Sequence, residues 1–217
     1  MGVKAGPRIV QNGLILDVDA AVSRSYSGSG LTANGLVGGI GGTLVNGVGF
    51  GTTNNGFFIF DGSNDHINFG NSSTLQQSSG TLSVWAKASS PGGSYRGIIA
   101  KQGSYGLFYV TGQLWIYDWG ADLGRSTGID IADNTWKNLV LTYQSGVSNG
   151  TFIYLNGVSV LTTTITVLNQ INNLFGGAEA NAGQYAACQI SSFNMYSRVL
   201  TAQEVLQNYN ATKGRYR

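Results

Sequence analysis

The chain has 217 residues, 42% of them hydrophobic and only 10% charged, with 33 glycines, 2 prolines, one cysteine and a net charge of +2. That length supports one self-sufficient core, the composition is too apolar for a disordered chain, and no stretch approaches the roughly 18–20 apolar residues of a membrane span. The charge is uneven: Lys4, Arg8, Lys213, Arg215 and Arg217 lie at the two ends, while positions 9–212 hold 7 basic and 10 acidic residues, which is not the basic stripe of a nucleic-acid binder.

Residues 1–8 contain no apolar signal-peptide core, and Gly6 stands where a myristoylation signal needs Ser or Thr. Strand-like runs then dominate. Residues 14–19 come first. Residues 27–51 are glycine-rich and too weakly patterned to assign. Residues 57–60 and 66–69 read as strands split by the turn Asp61-Gly62-Ser63-Asn64-Asp65. Residues 81–87 alternate well. Residues 97–101, 105–110 and 114–119 read as a meander whose Thr111-Gly112 turn suits a tight hairpin. Residues 138–143 and 151–155 follow, and Asn156-Gly157 turns the chain into 158–161, because both turn positions need φ > 0. Residues 187–196 close the series, with Cys188 expected as a buried, inert thiol.

One helix is expected, from residue 202 to about Tyr209. Thr201 and Glu204 form a capping box, and Leu200 and Val205 a hydrophobic staple. About a dozen short strands with one late helix argue for an all-β, two-sheet antiparallel sandwich. The domain is expected over residues 13–212, with an extended arm at 1–12 and a basic tail at 213–217. The sequons at Asn71, Asn149 and Asn210 read as chance in a chain so rich in Asn, Ser and Thr.

Four segments in order resemble the laminin-G-like, concanavalin A-like jelly rolls. They are residues 58–70 (FIFDGSNDHINFG), 81–87 (TLSVWAK), 136–143 (WKNLVLTY) with 153–157 (IYLNG), and 190–204 (ISSFNMYSRVLTAQE). Residues 12–20 (NGLILDVDA) with 25–30 (SYSGSG), and the ending 207–213 (QNYNATK), are similar to the lead and tail of such domains in structural proteins of tailed phages, many from cyanobacterial hosts. Residues 31–43 depart from that pattern. The resemblance implies a jelly-roll fold with a short C-terminal helix and a virion protein, either a capsid decoration or a head- or tail-fibre-associated protein. Such a protein acts by binding capsid or tail proteins, not nucleic acid or membrane, and leaves homo-oligomerisation open.

Related domains often hold one structural calcium, for which Asp61, Asn64 and Asp65 are the candidates here. The competing reading makes Asp61 a turn-closing side chain. No other cofactor is expected, and no catalytic residue. Glycosidases need a close carboxyl pair; Glu179 and Glu204 are the only glutamates, and Asp17 with Asp19 is the only Asp-x-Asp pair on a strand. Edge or turn bonding is the expected use of that pair, and His66 is expected as a solvated or core histidine. Trp115, Tyr117 and Trp119 share one strand face, and Tyr105 and Tyr109 share one on the neighbouring strand. Facing outward, such rings could stack on sugars; facing inward they are core, the commoner use of large apolar side chains. The terminal charges Lys4, Arg8, Lys213, Arg215 and Arg217 are candidates for docking onto an acidic partner. A carbohydrate-binding module for cell-surface glycans is the alternative to the virion reading.

Overall fold

The computed structural model describes residues 8–90, 92–168 and 171–216. Within them the strands are β1 (Leu14–Asp19), β2 (Thr32–Ala33), β3 (Gly42–Val45), β4 (Gly49–Gly51), β5 (Phe57–Asp61), β6 (His66–Asn68), β7 (Ser79–Ala88), β8 (Arg96–Lys101) and β9 (Tyr105–Val110). The series continues with β10 (Gln113–Asp118), β11 (Leu123–Asp130), β12 (Lys137–Gln144), β13 (Thr151–Leu155), β14 (Val158–Thr163), β15 (Leu174–Gly176), β16 (Ala178–Glu179), β17 (Gln184–Tyr185) and β18 (Ala187–Tyr196). One helix follows, α1 (Ala202–Thr212), and a 3-10 turn over Lys213–Tyr216.

The strands form two stacked antiparallel sheets, as the alternation predicts. The first runs β14-β13-β12-β7-β18-β5-β4, with β1 also paired to β18. The second runs β11-β10-β9-β8-β15-β6-β3-β2, and the short β16–β17 pair joins it beside β8. The core lies between them. Leu82, Val84, Leu139 and Leu141 point in from the first sheet, and Ile67, Leu107, Leu114 and Ile116 from the second, all at 3% exposure or less. Tyr105 stacks on Tyr143 in this core at 5.0 Å.

Both predicted hairpins have the required backbone. Thr111 and Gly112 lie at φ 48° and 85°, Asn156 and Gly157 at 52° and 81°. The unassigned glycine-rich stretch supplies β2, β3 and β4. Its glycines are sites of close packing: a methyl group on Gly42 would lie 2.3 Å from Ile67 and 2.9 Å from Phe69. β11 also escapes the sequence pattern, because LGRSTGID is an edge strand with no fully buried residue.

The lead segment is structural. Ser25 Oγ accepts from Asp19 N at 3.1 Å and donates to Asn34 O at 2.8 Å, while the Tyr26 ring packs on Phe50 and Phe58. α1 covers the outer face of the first sheet over a small second core that includes Val140, Tyr154, Tyr196, Leu200 and Val205. Three hydrogen bonds close a loop there. Val10 N donates to Asn208 Oδ1 (2.8 Å), Asn208 Nδ2 to Tyr196 Oη (3.0 Å), and Tyr196 Oη to Val10 O (3.0 Å). Residues near the chain start therefore dock on the sandwich.

The helix begins as read, with Thr201 Oγ1 accepting from Glu204 N and Glu204 Oε2 from Thr201 N. Arg198 grips the Glu204 carboxylate with two nitrogens, and this partner first, then the cap amide, pulls the carboxyl down to about 2. The helix runs three residues past Tyr209, because Thr212 Oγ1 accepts from Trp85 Nε1 at 2.9 Å and holds the last turn on the sheet. Thr201→Ala is expected to cost about 1 kcal/mol of stability, the usual worth of such a cap. Equilibrium urea unfolding of the two proteins measures it.

Candidate functional site

Along β10, Leu114 and Ile116 are buried inward, so the pleat turns Trp115 and Tyr117 outward; Trp119, just past the strand end, continues that face. The stripe expected more often as core is thus on the outside of the second sheet, and all three rings are half-buried. Tyr105 and Tyr109 take the opposite role. They are 0% and 1% exposed and belong to the core; the Tyr109 hydroxyl donates to Ala187 O at 3.3 Å.

The outward rings wall a cleft of about 320 Å³, at the small end of the roughly 300–1,000 Å³ range of ligand pockets. Four rings line it: Tyr95, Phe108, Tyr117 and Trp119. Four polar side chains share it: Gln102, Asp122, Glu179 and Gln184. Trp115 stands one ring back, behind Tyr95 at 5.9 Å and 80°. Tyr95 reaches this place because residue 124 is glycine; a methyl group there would lie 1.9 Å from the Tyr95 hydroxyl and 2.9 Å from the Trp115 ring.

The Tyr117 hydroxyl donates to Asp122 Oδ1 at 2.5 Å. That bond, followed by burial, pushes the phenol up to about 12, and burial also raises Tyr95. Both phenols therefore remain neutral donors at physiological pH. Sequence reasoning found Tyr117 and Trp119. It missed Tyr95, Gln102, Asp122 and Gln184, which sit in turns or short strands without periodicity, and it noted Glu179 only as one of two glutamates.

The calcium candidates lie in and beside the turn between β5 and β6. Asp61 Oδ1 accepts from Ser63 N (2.8 Å) and Asn64 N (3.4 Å), and the Ser63 bond foremost holds its carboxyl below the usual range. Asp65 is buried, accepts from Asp61 N, and is raised chiefly by that burial. The Asn64 carbonyl accepts from Asn46 Nδ2 and lies 2.9 Å from His66 Nδ1. Backbone donors thus engage Asp61 Oδ1 and Asp65 Oδ2, the use that the turn-closing reading expects. Among the described residues no group of three or more His, Cys, Asp or Glu is placed to hold a metal. His66 is a packed side chain against Phe175 and Tyr185, and Cys188 is buried.

Of the docking charges, Arg8, Lys213 and Arg215 lie among the described residues. Lys4 and Arg217 lie outside the described residues. The chain ends do meet, since Gln207 donates to Arg8 O at 2.9 Å, and Arg8 is exposed. Lys213 sits over the Tyr209 ring. Arg215 is engaged within the chain: it makes a bidentate pair with Asp19 at 2.8 Å for both bonds and also bonds Ser191 Oγ. The 3-10 turn carries Tyr216 onto Trp85, stacked at 3.9 Å. Apolar ring contact and a partly desolvated ion pair fold residues 213–216 down, so they are not a solvated tail.

Asp17 and Asp19 are likewise committed. Asp17 Oδ1 accepts from Asn194 Nδ2 at 2.9 Å. Burial, then the neighbouring Asp19, raises its carboxyl to about 6. Asp19 Oδ1 also accepts from Ala21 N, closing the turn after β1.

Residues 61–206 match the family described as the concanavalin A-like lectin/glucanases superfamily (Laminin_G_3), and the chain belongs to it. No curated protein matches the chain. Solved structures share the fold at low identity. The binding domain of Paraclostridial Mosquitocidal Protein 1 is 14% identical with a TM-score of 0.70, over 92% of this chain and 52% of that one. The Trypanosoma rangeli sialidase is 13% identical with a TM-score of 0.73, over 95% and 34%. The receptor binding domain of botulinum neurotoxin C/D mosaic serotype is 18% identical with a TM-score of 0.67, over 91% and 51%. This chain thus spans about half the length of the toxin chains and a third of the sialidase.

A carboxyl raised in the folded state binds its proton more tightly there than in the unfolded chain. Its contribution is full below the unfolded pKa and fades as pH climbs to about 6. Asp17→Asn keeps the acceptor for Asn194 and removes the charge. It is expected to raise stability at neutral pH by about 1–2 kcal/mol, allowing for partial exposure. The gain should shrink towards zero as pH falls to about 4, read from denaturation midpoints of both proteins across that window.

Proposed function

We propose that this domain is a non-catalytic binding module whose ligand is a carbohydrate, taken at the aromatic cleft. The observation that carries the reading is the pair Tyr117 and Trp119, turned outward and walling a cleft whose other lining is polar. A sugar ring has an apolar C–H face and a rim of hydroxyls. Aromatic side chains supply area for the first, and amide and carboxylate groups supply directional bonds for the second. The fold agrees with this use, since it is shared with domains named for binding in two toxins.

The carboxylates support binding without turnover. Asp122 accepts from Tyr117, and Asp17 and Asp19 are held by Asn194 and Arg215. Tyr117 itself, raised to about 12, is a poor nucleophile. A glycan array is expected to show binding by the intact chain without hydrolysis. Trp119→Ala should lose at least about fivefold in affinity, since a stacking ring contributes on the order of 1 kcal/mol or more. Retained binding by the Trp119 variant would place the ligand elsewhere.

A second reading places the same domain in a virion, as a capsid decoration or a fibre-associated protein held by capsid or tail proteins. Its support is the resemblance of residues 12–20, 25–30 and 207–213 to segments of phage structural proteins. The two readings are compatible, because a virion protein can carry a glycan-binding face. Mass spectrometry of purified particles is expected to find the chain in stoichiometric amounts. Its absence from particles, with the chain present in the producing cells, would remove this context.

A further inference from the structure

The cleft combines tilted rings with negative charge. Tyr95 and Tyr117 meet at 5.6 Å and 84°, Tyr117 and Trp119 at 5.3 Å and 61°, and Phe108 and Trp119 at 5.9 Å and 56°. Rings inclined in this way cannot all lie flat on one sugar. They wall the cleft at several inclinations, and a ring face open to such a cleft attracts an organic cation. The lining contains Asp122 and Glu179 and no lysine, arginine or histidine. Nearby guanidinium groups are directed elsewhere: Arg96 donates to Tyr185 O at 3.1 Å, and Arg125 pairs with Asp118 at 3.7 Å. Because the Tyr117 phenol donates to Asp122, its ring gains electron density while the carboxylate stays exposed at the cleft mouth.

We propose that the cleft selects amino sugars, with the protonated amine held among the rings beside Asp122. The proposal rests on the carbohydrate reading and narrows it. A neutral hexose gains the stacking alone. An N-acetylated sugar has lost the charge. An acidic sugar brings like charge to Asp122, which disfavours it.

Three trimers with one β-1,4 backbone isolate the amine, since they differ at C2 as ammonium, acetamide or hydroxyl: the chitosan trimer, the chitin trimer and cellotriose. Isothermal titration calorimetry at mildly acidic pH keeps the amine protonated. The chitosan trimer is expected to bind about tenfold more tightly than the other two. Asp122→Asn should erase that difference. The substitution suits the site, because residue 122 has φ 51°, which asparagine tolerates, and the amide oxygen still accepts from Tyr117. Trp119→Ala should weaken the chitosan trimer as well. Equal binding of the three trimers, or a preference that survives Asp122→Asn, overturns the amine selection and leaves the carbohydrate site standing. Tri-lysine bound as tightly as the chitosan trimer also overturns it, since the cleft would then read charge without sugar. Failure of every glycan, on the array and in these titrations, overturns both readings.

Discussion

A strand in a two-sheet sandwich can place only one of its faces in the core between the sheets, and along β10 the aliphatic face takes that place. Leu114 and Ile116 fill the core at 0% exposure. The pleat then leaves Trp115 and Tyr117 no inward position. Once that register is set, the neighbouring strands follow it. β9 turns Tyr105 and Tyr109 in and Phe108 out, against Trp115, its cross-strand partner. The cleft is built on the same alternation that builds the core.

The two outer faces are treated differently, and this separates structure from function. The first sheet is roofed by α1 and the 3-10 turn after it. Its exposed aromatics are covered by the chain itself: Trp85 lies under Tyr216 and Tyr209, and Trp136 beside Tyr216. Among the described residues the second sheet has no such roof over β9 and β10. Its rings are shielded only by one another and by Tyr95, so their faces remain available to a ligand.

Only 10% of the residues are charged, and several of those charges hold the fold together. Arg215 ties the C-terminal turn to Asp19, and Arg198 pins the helix start through Glu204. Lys137 bonds Asp133 at 2.7 Å before β12. At the aromatic cleft the exposed carboxylate is Asp122, which accepts from Tyr117.

The sequence by itself determined the sandwich. Alternation along residues 81–87 and 187–196, Asn156-Gly157 and the Thr201–Glu204 box are local signals, each set by nearest neighbours in the chain, and each is found in place. It also placed Tyr117 and Trp119 on one face, because period two is a property of the strand. Which side that face takes is not local; it depends on where Leu114 and Ile116 find apolar partners on the opposite sheet. The same holds for Tyr95, Asp122 and Glu179, which come from three separate segments and meet only because β8, β10 and β16 are brought together. Arg215 and Asp19, 196 positions apart, follow the same rule. A terminal arginine reads as free until the fold sets a half-buried carboxylate beside it, and the energy of that pairing depends on desolvation that only the tertiary structure supplies.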